Sequence, residues 1–289
     1  MINVLVTGSN GQLASCIKDI ENQYSGLNFI YTDYLDLDIC DLDQVSSFFK
    51  SNLEFHYCIN CAAYTAVDKA EKEIQQAYSI NAIGAKNLAK LCSENNTTLI
   101  HISTDFVFDG KSLLPYTEKD LETPLSVYGK SKLKGEEEII STFNNYFILR
   151  TAWLYSEHGN NFMKTMLRLA ETRNEISVVS DQIGTPTYAK DLAEVILKII
   201  DSNNQNYGLF HYSNEGVASW FDFAKTIFQI FKIEIKTHAI KTSEYPTPAI
   251  RPAYSVLNKD KIKTTLKMET YNWQESLKKC MFNYKNLVK

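Results

Sequence analysis

The chain reads as an α/β protein: a doubly wound parallel sheet with a smaller C-terminal lobe. Two observations predict this. Short apolar runs alternate with helix-period stretches through the first half, the pattern of a parallel sheet with right-handed crossovers. After about residue 151 that alternation loosens, and a proline-spaced segment, YPTPAIRPAYSVLN (245–258), follows. Residues 1–150 are therefore expected to form the sheet domain. Residues 151–289 are expected to form mainly the second lobe, with some elements returning to the sheet, and a cleft should separate the two.

The expected strands are INVLVT (2–7), NFIYTD (28–33), YCINCA (57–62), TLIHIS (98–103) and YFILRT (146–151). Helical spacing near 11–23, 41–51, 74–93 and 128–142 fills the gaps between them. In the second half, helices are expected near 160–172, 188–201 and 219–231, with strands in EISVVSD and GLFHYSN. Prolines at 246, 248 and 252 exclude regular helix there and impose an extended path.

Composition narrows the function. At 289 residues the chain can bury a substantial core. A net charge of −4 without a basic block argues against a nucleic-acid binder or a polybasic membrane anchor. No apolar run approaches the roughly 20 residues that a membrane helix needs. MINVLVTG reads as a first strand, so no secretory signal is expected. Cys58 and Cys61 form a lone C-x-x-C, which lacks the second ligand pair of a zinc site. These two, with Cys16, Cys40, Cys92 and Cys280, are read as structural thiols in a reducing cytoplasm.

TGSNGQLA (7–14) follows the first strand and opens a helix. Gly8 and Gly11 permit a tight turn and close approach of a pyrophosphate to backbone N–H groups at the helix N-terminus. Asn10, Gln12 and Leu13 belong to the same candidate dinucleotide-binding loop. Asp33, about 20 residues past the glycines, stands where a carboxylate accepts from a ribose hydroxyl. It would repel a 2′-phosphate, which favours NADH over NADPH. Asp36 and Asp38 compete for the role, and an ordinary surface turn explains all three equally. Ala62 and Ala63 leave room for a cofactor against the backbone. Thr104 should emerge at the sheet's carboxyl edge, whereas His101 reads as a residue of the strand interior.

In VYGKSKLKGE (127–136), Tyr128 and Lys132 are four apart and share one helix face. An ammonium beside a phenol is expected to lower its pKa towards the working range of a general acid. An exposed helix with a stray tyrosine is the plain alternative.

Together these stretches resemble the extended short-chain dehydrogenase/reductase family, with its Rossmann-like sheet. The similarity is greatest to its sugar-nucleotide reductases, through AAYTAVDKAE (62–71), STDFVFDG (103–110), RTAWLY (150–155), GNNFMKTMLRLA (159–170) and DQIGTPT (181–187). The resemblance implies an NADH- or NADPH-dependent enzyme that reduces dTDP-4-dehydro-β-L-rhamnose to dTDP-β-L-rhamnose. Another nucleotide-linked 4-keto sugar, or a non-catalytic regulatory subunit, are the alternatives. It implies Tyr128 as acid, Lys132 as its partner and ribose ligand, and Thr104 as donor to the developing charge. Asp105 and Trp153 match sugar contacts, Asp38 and Ile39 the adenine side, and Ala62, Ala63 and Tyr64 the nicotinamide side. Taken alone, Trp153 reads more readily as a core residue. Arg251 suits either a diphosphate or a structural ion pair. Cys61, Ala14 and Phe106 depart mildly from the family pattern, and Tyr64 stands where histidine is frequent. Cys16 and Lys190 occupy positions where relatives hold magnesium with glutamates, so no metal is expected here. A homodimer is expected by analogy alone.

Overall fold

In a computed structural model that describes residues 1–287, a parallel sheet forms the centre of the molecule. The first half runs β1 (Ile2–Thr7), α1 (Gln12–Ile20), β2 (Leu27–Thr32), α2 (Leu42–Ser51), β3 (Tyr57–Asn60) and α3 (Val67–Ala70). It continues through α4 (Ile74–Tyr78), α5 (Ala85–Glu94), β4 (Thr98–Thr104), α6 (Val127–Thr142) and β5 (Tyr146–Thr151). The second half holds β6 (Leu154–Tyr155), α7 (Phe162–Ala170), β7 (Glu175–Val179), β8 (Ile183–Gly184), β9 (Thr187–Tyr188) and α8 (Ala189–Asp201). Then come β10 (Gly208–His211), β11 (Ala218–Ser219), α9 (Trp220–Phe231), β12 (Lys236–Ile240), α10 (Asp260–Thr265) and α11 (Trp273–Leu287).

The six-stranded sheet has the order β10-β5-β4-β3-β1-β2, and every pairing in it is parallel. The chain enters at β1, moves outward to β2, and then crosses back to β3 on the other side. That reversal opens a crevice at the carboxyl ends of β1 and β3, where open α/β sheets bind ligands. Val4, Leu5, Val6, Ile59, Leu99, Ile100, Ile148 and Leu149 are buried, as central parallel strands covered on both faces must be. One face is covered by α1 and α8, the other by α2, α5 and α6. So α8 and β10, from beyond residue 151, complete the first core. Around α7, α9 and α11 lies a separate aromatic core built on Tyr155, Phe223 and Trp273.

Several elements differ from the sequence reading. The helix expected over 74–93 is broken by a π turn, Ser79–Gly84. Here α6 packs so closely that a Cβ on Gly135 would lie 2.1 Å from the Asn81 carbonyl oxygen. β12, α10 and α11 were not expected. The helical spacing of Trp273, Leu277 and Cys280 was the available signal for α11, since all three are buried. KTHAI shows no such burial period, and β12 exists because β7 pairs with it. Residues 245–258 contain no regular element, in keeping with their prolines, and are held by bridges from Tyr254 to Ile183 and from Leu257 to Tyr116. All six cysteines are free.

Gly135→Ala is expected to lower stability by about 2 kcal/mol in urea denaturation. The overlap with a rigid backbone oxygen outweighs the roughly 1 kcal/mol that alanine gains inside a helix.

Candidate active site

Gly8 takes up a left-handed conformation, φ +65°, directly after β1. A Cβ there would sit 2.6 Å from the Ala62 nitrogen, so the loops after β1 and β3 touch backbone to backbone. Glycine is the residue for that approach. α1 then starts at Gln12 with Gly11 as an N-cap that offers no side-chain acceptor, and its first turn carries no acid. By contrast, α2, α6 and α7 are capped by Asp41, Ser126 and Asn161. An uncapped N-terminus without a competing carboxylate suits a phosphate. The residues present therefore fit a dinucleotide.

The individual contacts refine the candidate residues. Asp33 accepts from the backbone N–H of Asn10 at 2.8 Å and of Tyr34 at 2.7 Å, so its carboxylate first shapes the glycine loop. Asp36 accepts from the Asp33 N–H, and Asp38 from that of Cys40, which leaves Asp33 as the acid beside the glycines. Ile39 is buried against Gly84. Leu13 turns its side chain into the core, and Gln12 accepts from Ser156 and Asn161 of the second lobe. Only the backbone of Leu13 can thus face a ligand. Tyr64 donates its N–H to the Asn81 side chain, which also donates to the Tyr64 carbonyl and to Ser131 of α6. Its hydroxyl donates to Glu73.

The chemistry-bearing groups gather at the carboxyl end of β4. Thr104 is buried, donates to Asp105 Oδ1 at 3.1 Å and accepts from the Phe106 N–H at 3.2 Å. Asp105 is buried too, and its Oδ2 has no hydrogen-bond partner among the described residues. Burial pushes the Asp105 carboxyl up to about 6. Phe106 meets Tyr128 edge-on, ring centroids 5.6 Å apart.

One expectation about this cluster needs correction. Lys132 does not acidify Tyr128 in the structure. Its ammonium donates to the Ile102 carbonyl at 2.6 Å and faces His101 Nε2 at 3.1 Å. Burial pushes the Tyr128 hydroxyl up to about 12, with Asp105 adding to the rise and Thr104 opposing it. Burial likewise pushes Lys132 down to about 8. The phenol is accordingly a protonated donor throughout the neutral range. His101, read from sequence as a residue of the strand interior, is buried as expected but reaches Lys132. The strand period shows which way it points, not which helix residue meets it.

Trp153, with φ +46°, stacks on Trp220 at 3.6 Å between centroids and lies against Gly184. Trp220 lines a cleft of ≈ 860 Å³ together with Phe162, Met166, Tyr245, Arg173 and Arg251. The Arg251 fork is bound to both oxygens of Asp68, at 3.0 and 2.7 Å, and to Thr247 at 2.6 Å. It is an ion pair across the cleft, one of the two roles expected for it. For a metal, the described residues offer one grouping, Cys16, Asp19 and His158, with ligand atoms within 4.8 Å of one another. Asp19 and His158 already bond each other at 2.7 Å, and burial beside Glu157 pushes the Cys16 thiol far up, away from the thiolate a metal needs.

A family model described as the RmlD substrate binding domain matches residues 2–286. A dTDP-4-dehydrorhamnose reductase from Aggregatibacter actinomycetemcomitans is 41% identical over 291 residues, covering 96% of this chain and 98% of the relative. The chain belongs to the dTDP-4-dehydrorhamnose reductase family. A crystal structure of a family member from Clostridium acetobutylicum superposes with a TM-score of 0.94 at 45% identity, covering 98% of this chain and 100% of that one. Another, from Bacillus anthracis in complex with NADP, also gives 0.94, at 40% identity and the same coverage.

Gly8→Ala is expected to weaken NADPH binding at least about tenfold in a fluorescence titration. The added methyl costs backbone strain and pushes the two loops apart, and about 1.4 kcal/mol is a factor of ten.

Proposed function

We propose that this chain reduces the 4-keto group of dTDP-4-dehydro-β-L-rhamnose to give dTDP-β-L-rhamnose, with NADPH or NADH as reductant. The observation that carries it is the meeting of Thr104, Asp105, Tyr128 and Lys132 at the sheet's carboxyl edge, in a family whose members carry that name. The NADP complex of the Bacillus anthracis relative supports a phosphorylated cofactor, and Asp33, engaged with two backbone N–H groups, is weakened as an argument against it. No helix among the described residues is long and apolar enough to cross a membrane, and the six free thiols support a reducing cytoplasm.

A dinucleotide held here would supply the hydride for C4 of the sugar. The glycine loop and the first N–H groups of α1 would hold its pyrophosphate, and Asp33 would serve its ribose. Tyr128 gives its proton to the C4 oxygen as negative charge develops there, a general-acid role that a hydroxyl held near 12 can fill because it is protonated at neutral pH. Thr104 turns its hydroxyl to the same oxygen, a preorganised donor at the end of a rigid strand. Lys132, its ammonium fixed by the Ile102 carbonyl and His101, would hold the nicotinamide ribose. Asp105, with an oxygen free, accepts from a sugar hydroxyl. Trp153 forms the wall behind it through its stack on Trp220, and Arg251 exchanges Asp68 for the diphosphate. The homodimer expected by analogy belongs to the same reading, and light scattering checks it.

With wild-type protein, NADPH and the thymidine-linked keto sugar, turnover is expected, and NMR of the product identifies the L-rhamno configuration at C4. Tyr128→Phe should lose at least about 10²-fold in kcat, the usual size of a general-acid contribution. Turnover by the wild type no faster than by Tyr128→Phe rejects the reading.

A further inference from the structure

The carboxyl edge of the sheet carries a row of polar side chains that the reaction as described leaves unused. Thr7 of β1 pairs in register with Asn60 of β3, and Asn60 with His101 of β4. All three are buried. Thr7 Oγ1 and Asn60 Oδ1 are 2.8 Å apart, Asn60 Nδ2 and His101 Nδ1 3.0 Å, and His101 Nε2 and Lys132 Nζ 3.1 Å. The row thus runs across three strands and ends on the catalytic lysine.

We propose that His101 is a positioning residue, whose Nε2 accepts from Lys132 and orients the ammonium for the nicotinamide ribose and Tyr128. The reason is geometric. An ammonium has three N–H donors on a freely turning bond. The Ile102 carbonyl takes one at 2.6 Å and His101 takes a second, which leaves the third with a single direction. Without His101 the head group turns about its one remaining bond. To accept at Nε2 the imidazole must be neutral, with its proton on Nδ1. Burial first, then the Lys132 charge, hold His101 well below the usual imidazole range, so it is neutral. The Nδ1 proton then needs an acceptor. Asn60 supplies one when its amide presents oxygen to His101 and nitrogen to the Thr7 hydroxyl, the reverse of the amide orientation drawn from these distances. The Asn60 amide orientation and the His101 tautomer are thus linked, because the Thr7 hydroxyl can serve either orientation as donor or acceptor.

Other titratable groups face Lys132 as well. Glu136 lies on its own helix and is bonded to Arg150 of β5, Cys61 follows β3, and Tyr128 lies one turn away on α6. Glu136 and Cys61 both favour the charged lysine, whereas burial opposes it and brings it to about 8. Removing a neutral acceptor removes stabilisation of the ammonium alone, so the lysine loses its proton at lower pH.

The test compares two variants of similar size and polarity. Gln places an amide oxygen near the original Nε2, whereas Asn reaches only the Nδ1 position. In His101→Asn the midpoint of Lys132, followed by 13Cε NMR of labelled lysine and assigned with Lys132→Met, should fall by about one pH unit. The basic limb of kcat/KM should fall with it. His101→Gln should keep both near the wild-type values. A His101→Asn midpoint equal to wild type, or equal shifts in Asn and Gln, overturns the proposal. This inference rests on the reductase reading only for the kinetic arm. Absence of wild-type turnover would sink that reading, while the NMR arm still decides the role of His101.

Discussion

The buried Arg150–Glu136 pair holds α6 on the sheet. Neither side chain is more than 1% exposed, and Arg150 reaches both Glu136 oxygens through Nε and Nη2. Glu136 also accepts from Ser103 of β4, and Arg150 donates to Glu122 at 2.6 Å while lying over the Phe108 ring. Strand β4, strand β5, helix α6 and the 105–126 loop therefore meet at one charged node. A buried pair is a poor source of net stability, but removal of one partner leaves an uncompensated charge at a cost of about 3–5 kcal/mol. What the node contributes is registry. It sets one turn of α6 against β4, and Lys132, one turn earlier on the same helix, meets the Ile102 carbonyl as a result.

Burial gives the site its chemical character. It raises Tyr128 and Asp105 and lowers Lys132 and His101, so in each case the neutral form gains. For a ketone reduction this is favourable at the phenol, which must arrive with its proton. At the lysine it is a cost, because the ammonium has to stay charged, and Glu136 together with the Ile102 carbonyl offsets it. Fixed dipoles, more than bulk water, therefore surround these groups.

The two lobes are tied at the points where a ligand would enter. Gln12, at the start of α1, holds Ser156 and Asn161, and Asp68 of α3 holds both Arg251 and the Ala249 N–H. The first tie braces the start of α1 against residues 156–161. The second spans the cleft as an ion pair with a partly exposed carboxylate.

Much of this was legible in the residues alone. Alternating apolar runs require a parallel sheet, because each buried strand must be covered on both faces. Gly8, with its neighbours, requires a close turn before a helix, and the spacing of Tyr128 and Lys132 requires one helix face. Those are local constraints, written within a few residues of one another. Partnership across the fold is another matter. That Lys132 is held by His101 rather than leaning on Tyr128, that Arg251 is clasped by Asp68, and that Gln12 braces a loop some 150 positions away, depends on how separate elements are brought into contact. Side-chain periodicity gives direction, but the distance between two directions exists only once the chain has folded.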